Sequence, residues 1–581
     1  MSISFLNNHF IRIIKRSLKK SFGLKNFKEI DFSLTEVPDP KIGDLAFPCF
    51  SVAKFLNSRS KKDISPVEIA NTLANTIIIP DKYFKKTRAI GPYLNFFLQR
   101  EKFFEIICRD DYRLKTKTQK KKIMLEFSSP NTNKPLHLGH LRNIVLGMSI
   151  ANLLEAIGFK VIKANLINDR GIHICKSMLA YQYRKRGEKF EDKRLKGDHL
   201  VGKYYTMFEE RAKVNPHLIE EAQEMLREWE KGDKKILALW KKMSSLALKG
   251  FEETYKRLSI SFDKWYFESK VYKLGRKIIL NALKKRKCYK RLDGAIEVDL
   301  GRGEKKVLIR PDGTSIYITQ DIGLAKFKFD QYKLDKSIYL TGQEQEYYFQ
   351  ILFEVLKRIG FSWVKKCEHL SHGMVFLPEG RMKSREGKVV EIDGLLDKME
   401  KMAEEEIMKR RKNFSSDKEL KDRAKKIALS ALKFYLLKFN PKQAINFNPK
   451  ESLSFEAATG PYINYVYTRI QSILRKSQIH VINKKKNSLS ILGNFEEWEL
   501  AKILFRFSKI VEKSALSYNP SYLAEYLLKL ATVFNKFYEK HSVLLAKTPE
   551  LSEARLILAQ VVATTLKKGM ELLKIEMTEK M

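Results

Sequence analysis

Apolar and polar positions fall into stretches of helical period and stretches of strand period, and their order along the chain predicts the architecture. Apolar residues three and four apart predict helices over 10–24 and 66–75, with a turn at Gly43-Asp44 between them. Residues 90–98, IGPYLNFFL, read as an aromatic strand with the character of a buried edge strand. The run 115–121, KTKTQKK, is polar and aperiodic and predicts a linker. KIMLEF at 122–127 then reads as a strand, Leu141, Ile144, Val145, Met148 and Leu154 recur at helical spacing, and 160–169 reads as a second strand. Strand, helix and strand in that order predict one parallel unit of a Rossmann-type sheet. Residues from about 176 to 258 are mainly of helical period, with Ile236, Trp240, Met243, Ala247, Phe251, Tyr255 and Leu258 as the apolar stripe of one long helix. The sheet is expected to return through 295–300, 306–310, 315–319 and 337–342, and the pattern is helical from Leu395 onward.

Length and charge narrow this picture. A chain of 581 residues exceeds one hydrophobic core, so about three domains are expected. The formal charge of +43, from 111 Lys+Arg against 68 Asp+Glu, is spread along the chain and suits a polyanionic partner, although lysines on solvated helix faces need bind nothing. Cys49, Cys108, Cys175, Cys288 and Cys367 lie far apart without a Cys-x-x-Cys pair, so neither a zinc site nor a disulfide framework is indicated, and a reducing compartment fits. No apolar run is long enough to span a bilayer. The basic N-terminus is similar in composition to a transit peptide, but its apolar spacing favours the first helix of a domain, and a cytoplasmic protein is expected.

The chemistry concentrates in Glu126–Gly147, EFSSPNTNKPLHLGHLRNIVLG, where strand, polar turn and helix meet. A helix entry presents backbone amides to an anion, and Gly139 between His137 and His140 lets a ligand approach the backbone. Two imidazoles at an anion site suggest phosphoryl or nucleotidyl chemistry. Metal binding is the rival reading, but the neighbours are Asn, Lys, Pro and Ser, with no cysteine or carboxylate to complete a coordination shell.

The stretch SSPNTNKPLHLGHLRN resembles the His-x-Gly-His element of class I aminoacyl-tRNA synthetases, and its flanks resemble the arginyl-tRNA synthetase version. The resemblance implies that His137 and His140 stabilise the α-phosphate of ATP, with Pro130, Gly139, His140, Gly342, His372, Met374 and Val375 around the nucleotide. It implies that Ser129 and Asn131 hold the arginine backbone. RPDGTSIYITQDIGLA at 310–325 resembles the segment lining the amino-acid pocket, so Tyr317 and Asp321, with Glu268 in WYFES and Gln345 in GQEQEYYFQ, would hold the side chain. The physics agrees, because a guanidinium is held by carboxylates in a fork geometry. Departures from the family pattern are Asn168-Asp169-Arg170-Gly171, which lacks a tryptophan, Gln320 where a basic residue is frequent, and Tyr348 where a histidine is common.

Arg381-Met382-Lys383-Ser384-Arg385 stands where class I synthetases carry the Lys-Met-Ser-Lys-Ser loop, with Ser384 in the position of the second lysine. Arg381, Lys383, Ser384 and Arg385 are therefore candidates to hold the leaving pyrophosphate together with Lys134, which matches the lysine thought to compensate in arginyl enzymes. For tRNA, the resemblance implies that Tyr93 and Asn95 face the D-loop, and that Tyr538 and Met581 join Tyr462, Tyr465 and Arg469. The last three follow i, i+3, i+7 spacing, which puts them on one helix face, either as a stacking platform for bases or as core.

The expected fold is multidomain α/β. It comprises a small α/β N-terminal domain over 1–114, the linker 115–121, and a Rossmann-type parallel-sheet catalytic domain over 122–394 with its helical insertion. A helical connection over 395–451 and an all-α anticodon-binding bundle over 452–581 follow. The implied partners are L-arginine, tRNA(Arg) and ATP, the last as a substrate complex with Mg2+, with no tightly bound cofactor and a monomeric state. Two alternatives remain open at this point: a class I synthetase for another amino acid, and a non-catalytic tRNA-binding paralogue suggested by the altered 381–385 run.

Overall fold

Near the N-terminus, the helices Ile3–Phe22 and Pro66–Thr76 cover an antiparallel sheet ordered Thr35–Glu36, Leu45–Pro48, Tyr93–Leu98, Phe84–Ile90. The computed structural model describes residues 3–37, 39, 41–59, 63–79, 81–108, 119–185, 195–301, 303–377, 390–410, 416–477 and 486–580. The second helix starts where the sequence dictates: Ser65 accepts the Glu68 amide and Pro66 occupies the first turn. The aromatic strand Tyr93–Leu98 is interior and not an edge, paired on both sides, which explains why Leu94 and Phe96 are fully buried. Asp44 follows the Gly43 turn and faces two ways. Its Oδ2 accepts the Leu98 amide at 2.9 Å, and its Oδ1 accepts Trp498 Nε1 at 2.8 Å from the C-terminal helix Phe495–Phe505. Phe103 and Phe104 set their rings edge-on to the same buried indole.

The described end of the linker, Gln119–Lys121, already bonds to the sheet domain through Gly158 and Lys160, and residues 115–118 lie outside the described residues. Five parallel strands follow in the order Cys367–His372, Lys336–Gly342, Lys122–Glu126, Lys160–Ile167, Lys264–Phe267. The chain runs outward from Lys122–Glu126 in one direction, then returns to place Lys336–Gly342 on its other side. Strand order therefore reverses between these two strands, and their C-terminal ends open a crevice of the kind that binds nucleotides.

Two expectations for this sheet are corrected. Ile296–Gly301 and Glu304–Ile309 pair antiparallel with each other in a separate sheet that includes Tyr289–Lys290, and they do not continue the parallel one. Residues 315–319 are not a strand either: a single bridge joins Ser315 to Ile309, and the helix Tyr317–Tyr332 begins at once. That helix packs so tightly on Glu268–Lys284 that a β-carbon at Gly323 would stand 2.5 Å from the Gly275 amide. Tertiary packing thus overrides the β-branched pattern of SIYIT.

The insertion is helical as expected, formed by Ile172–Lys185, Gly197–Val214, His217–Lys231 and Lys234–Arg257. In the last helix the stripe from Ile236 to Tyr255 turns inward, with Met243, Ala247 and Phe251 essentially inaccessible. Beyond the sheet, Ile392–Arg410 and Asp417–Leu437 lead to a bundle built from Gly460–Lys476, Phe495–Phe505, Phe507–Leu516, Ser521–Lys540 and Pro549–Leu572. Among the described residues no helix is long and apolar enough to cross a membrane.

Candidate active site

The crevice is a cleft of about 690 Å³ between the ends of Lys122–Glu126 and Lys336–Gly342. At its floor the chain leaves the first strand through Ser128 and Ser129, both in the left-handed region at φ 77° and 45°. Consecutive left-handed non-glycine residues cost roughly 1–3 kcal/mol each and persist only where their surroundings hold them. Here Asn143 Oδ1 accepts the Ser128 amide at 2.5 Å, Asn165 Oδ1 accepts the Ser129 amide at 3.1 Å, and Tyr255 bonds the Ser128 hydroxyl at 2.6 Å. Asn143 also donates to Leu340 O at 2.7 Å and lies 3.2 Å from His372 Nε2. One buried amide therefore ties together the ends of three neighbouring strands.

At one end of the cleft, the helix Leu138–Ala156 begins with His137 at its N-cap. The His137 amide donates to His140 Nδ1 at 3.2 Å, so a neutral His140 carries its proton on Nε2. The two rings lie 3.9 Å apart, and Gly139 allows it, since a β-carbon there would press on His137 at 3.2 Å. Burial, with Lys134 nearby, pushes His137 down to about 4, and burial lowers His140 well below the usual imidazole range. Both are neutral hydrogen-bond donors at physiological pH. Burial also lowers Lys134. His372 is pushed down to about 4 by burial and bonds the Gly373 carbonyl at 3.1 Å through Nδ1, which leaves Nε2 to accept from Asn143.

Behind His372, Arg142 is fully buried in the signature helix. Its guanidinium donates to the carbonyls of Gly373 and Gln443 at 2.6 Å, Asn440 at 3.2 Å and Met374 at 3.3 Å. It thereby joins the 373–376 rim of the cleft to the 440–446 segment, where Val375–Phe376 pairs in parallel with Ile445–Asn446.

The opposite end is acidic. Asp321 stands one helical turn after Tyr317, so the two share a face of their helix. Tyr348 donates its hydroxyl to Asp321, a contact that gives this tyrosine a role at the position where a histidine is common. Glu126 and Lys328, at 8% and 1% exposure, form a buried ion pair beneath. Glu268 is buried and does not line the cleft. With its amide oriented to satisfy its neighbours, Gln320 donates to Glu268 and accepts from Arg170, whose guanidinium pairs with Glu230 and lies over the Tyr272 ring. Burial raises Asp321 to about 6, and burial with the charges of Asp321 and Asp169 raises Glu268 to about 7 despite Arg170.

These raised values set a pH dependence. Protonation as pH falls through about 7 and then about 6 removes negative charge from this end of the cleft. Affinity of this end of the cleft for a cationic ligand is therefore expected to fall on acidification across that window, as an equilibrium titration with guanidinium-bearing ligands would read; a flat profile would refute the role of these acids. Stability runs the other way. Because both folded values lie above the unfolded ones, their stabilising contribution is complete below the ordinary carboxyl range and is lost as pH rises through about 6 and about 7.

Comparison with known proteins places this geometry. A family model described as the catalytic domain of class I tRNA synthetases (R) matches residues 104–448, more than half of the chain. The arginyl tRNA synthetase N terminal domain matches 8–98, and the DALR anticodon binding domain matches 463–581. The chain belongs to the arginyl-tRNA synthetase family. An arginine–tRNA ligase of Treponema denticola is 45% identical over 561 residues, covering 94% of each chain, and one of Borrelia hermsii is 39% identical over 98% of each. The arginyl-tRNA synthetase structure of Thermus thermophilus superposes with a TM-score of 0.81 at 26% identity, covering 99% of this chain and 100% of that one.

For this member of the arginyl-tRNA synthetase family, the cleft brings together most of the residues expected from sequence. Ser129, Asn131, Lys134, His137, Gly139 and His140 line one wall; Asp321, Gly342 and Gln345 line another, with His372, Met374 and Val375 at the rim. Pro130 is buried and supports the turn by accepting the Asn168 amide at 3.0 Å. Tyr317 is exposed beside Glu268 and is not part of the lining. Arg381, Lys383, Ser384, Arg385 and Met581 lie outside the described residues. Asn143, Arg142, Glu126 and Lys328 are the site residues that sequence reasoning missed; a buried-looking Arg-Asn pair at 142–143 within an apolar helix was the available signal.

The expected tRNA contacts divide. Tyr93 is exposed next to Phe50, whereas Asn95 is at 3% exposure and its amide donates to Ile42 O at 2.9 Å within its own domain. In the bundle, Arg469 bonds the Tyr465 hydroxyl and Asn535 Oδ1, Asn535 donates to Tyr462, and Arg469 lies over the rings of Tyr465 and Tyr538. These four predicted residues form one cluster, whereas Tyr467 is buried on another face. Among the described residues the only carboxylate–histidine group close enough to hold a metal ion is Asp198, His199 and Asp393, away from the cleft lining.

Proposed function

We propose that this chain ligates L-arginine to tRNA(Arg) in two steps, forming arginyl-adenylate and pyrophosphate from arginine and ATP, then transferring the arginyl group to the terminal adenosine of tRNA. The observation that carries this reading is a single cleft with neutral imidazole donors and Lys134 at one end and the half-buried Asp321 carboxyl at the other. The arginine carboxylate attacks the α-phosphorus of Mg-ATP in line, the bond to the bridging oxygen breaks, and pyrophosphate leaves. No proton need move, so catalysis is positioning plus charge stabilisation. Neutral His137 and His140 donate N–H to the crowded α-phosphate, and Lys134, with Arg381, Lys383 and Arg385, offsets charge on the leaving group. Ser129 and Asn131 hold the arginine backbone. Asp321, oriented by Tyr348, takes the guanidinium, with Gln345 beside it and Glu268 supplying negative field from behind, while Tyr317 stands at the exposed approach.

His372, Met374 and Val375 border the adenine side. Tyr462, Tyr465, Arg469 and Tyr538 offer a cation–aromatic face to splayed anticodon bases. The reading includes the 1–114, 122–394, 395–451 and 452–581 partition, a monomer, and a cytoplasmic location. ATP–pyrophosphate exchange against each standard amino acid, with and without tRNA(Arg), tests it: arginine alone should support exchange. Asp321→Asn should raise the arginine KM by about 10²-fold with the ATP KM little changed, since a neutral amide cannot pair with the guanidinium. An unchanged arginine KM would show that the pocket is misassigned.

A further inference from the structure

The insertion helix Gly197–Val214 meets the histidine turn directly at Gly202 and reaches the segment paired with that turn through His199. Gly202 faces it so closely that a β-carbon there would stand 2.6 Å from Pro135 Cδ and 3.4 Å from Lys134 Cα. One turn earlier, His199 reaches Glu391 Oε2 with Nδ1 at 3.0 Å and Asp393 Oδ2 with Nε2 at 3.1 Å. Glu391 belongs to a short segment that pairs with the turn itself. It forms an antiparallel bridge with His137, while the Leu138 amide donates to Val390 O at 3.1 Å and the Ile392 amide to Leu136 O at 2.9 Å. Asp393 also takes Lys196 Nζ at 2.6 Å, Thr254 Oγ1 at 3.0 Å and Arg257 at 3.3 Å.

Although Asp198, His199 and Asp393 are near enough to surround a cation, the Lys196 ammonium already stands 2.6 Å from Asp393 and 3.3 Å from Asp198. The required positive charge is built into the chain, so the cluster is an ion-pair clamp and not a metal centre.

We propose that His199 is a positioning residue for the phosphate end of the cleft. Clamped between Glu391 and Asp393, it fixes the Val390–Ile392 segment, and through the backbone pairing of that segment it fixes where His137 and His140 stand. An imidazole suits the task because its two N–H groups diverge at a set angle toward two carboxylates on one segment. The groups facing it are Asp198 on its own helix and Glu391 and Asp393 on the segment, with Lys196 and Arg257 sharing Asp393. Hydrogen bonds to Asp393 and Glu391 raise His199 to about 10. The clamp is therefore complete below the ordinary imidazole range and weakens as pH rises through about 10.

This inference rests on the proposed phosphate end, and the test separates the two. In the full-length chain with tRNA(Arg) present, His199→Gln should lower the kcat of ATP–pyrophosphate exchange by about tenfold through misplaced imidazoles, leaving the arginine KM within about twofold. His199→Arg, which keeps charge and divergent donors, should recover most of the rate, and His199→Gln combined with Glu391→Gln should be no worse than His199→Gln alone. If His199→Gln does not fold, Glu391→Gln, which leaves Asp393 paired with Lys196, carries the same expectation. An unchanged kcat, or an arginine KM rising in step with a lowered Tm, would overturn the proposal. A normal rate in His137→Ala would overturn the phosphate-end reading and this proposal with it; a dead His137→Ala beside a normal His199→Gln would overturn this proposal alone.

Discussion

Lys134→Ala lowers arginine-dependent ATP–pyrophosphate exchange by about 10³-fold, an expected loss typical of removing one preorganised group that meets developing charge. The reason lies in the protonation of its neighbours. Burial holds His137 near 4 and His140 well below the imidazole range, so neither imidazole brings net charge to the phosphates. Lys134 is the cationic side chain of the described turn, and the same burial that lowers its own value keeps water from screening it. A bound triphosphate reverses that penalty by pairing with the ammonium. Lys134→Arg, which keeps the charge at a different reach, should lose less than the alanine variant. If Lys134→Ala exchanges nearly normally, the leaving group is neutralised by the 381–385 residues alone, and compensation by Lys134 is wrong.

The second large effect is on stability. Arg142→Met should destabilise the sheet domain by about 3–5 kcal/mol, the cost of stripping a buried, multiply bonded charge from its partners. Methionine fills similar volume but donates nothing, so the carbonyls of Gly373, Met374, Asn440 and Gln443 lose a shared donor inside the protein. Urea unfolding followed by hydrogen exchange at the amides of 373–376 and 443–446 measures it; protection there should fall first and furthest. Wild-type protection in both segments would mean that other bonds, such as Ile445 N to Met374 O at 3.0 Å, hold the junction without the guanidinium.

Local pattern carried the sequence reading where the structure is local. The helices at the N-terminus, the strand–turn–helix around His137 and the long insertion helix follow from periodicity, because each satisfies its own backbone and buries one stripe. SIYIT misled for a physical reason: isoleucine, tyrosine and threonine favour strands, but Thr319 donates to Leu308 O and the helix from Tyr317 is held by its packing on Gly275. The signature helix is buried on nearly all sides, so its apolar stripe says little about which polar residues matter. Asn143, Arg142 and His199 act on partners up to 301 residues away, and no window of sequence contains such a contact. Asp321 and the two histidines were legible because short motifs carry them; the amides and guanidinium that hold those motifs in place were not.

The bond between Asp44 and Trp498 spans 454 residues. During synthesis at about 5–20 residues per second, Asp44 emerges roughly twenty to ninety seconds before its partner exists. Throughout that interval one oxygen of the carboxylate that caps the Leu98 amide is served by water, and Phe103 and Phe104 lack the indole that later covers them. The face formed by Asp44, Phe103 and Phe104 is thus completed only by an indole that follows Asp44 by 454 residues in the chain.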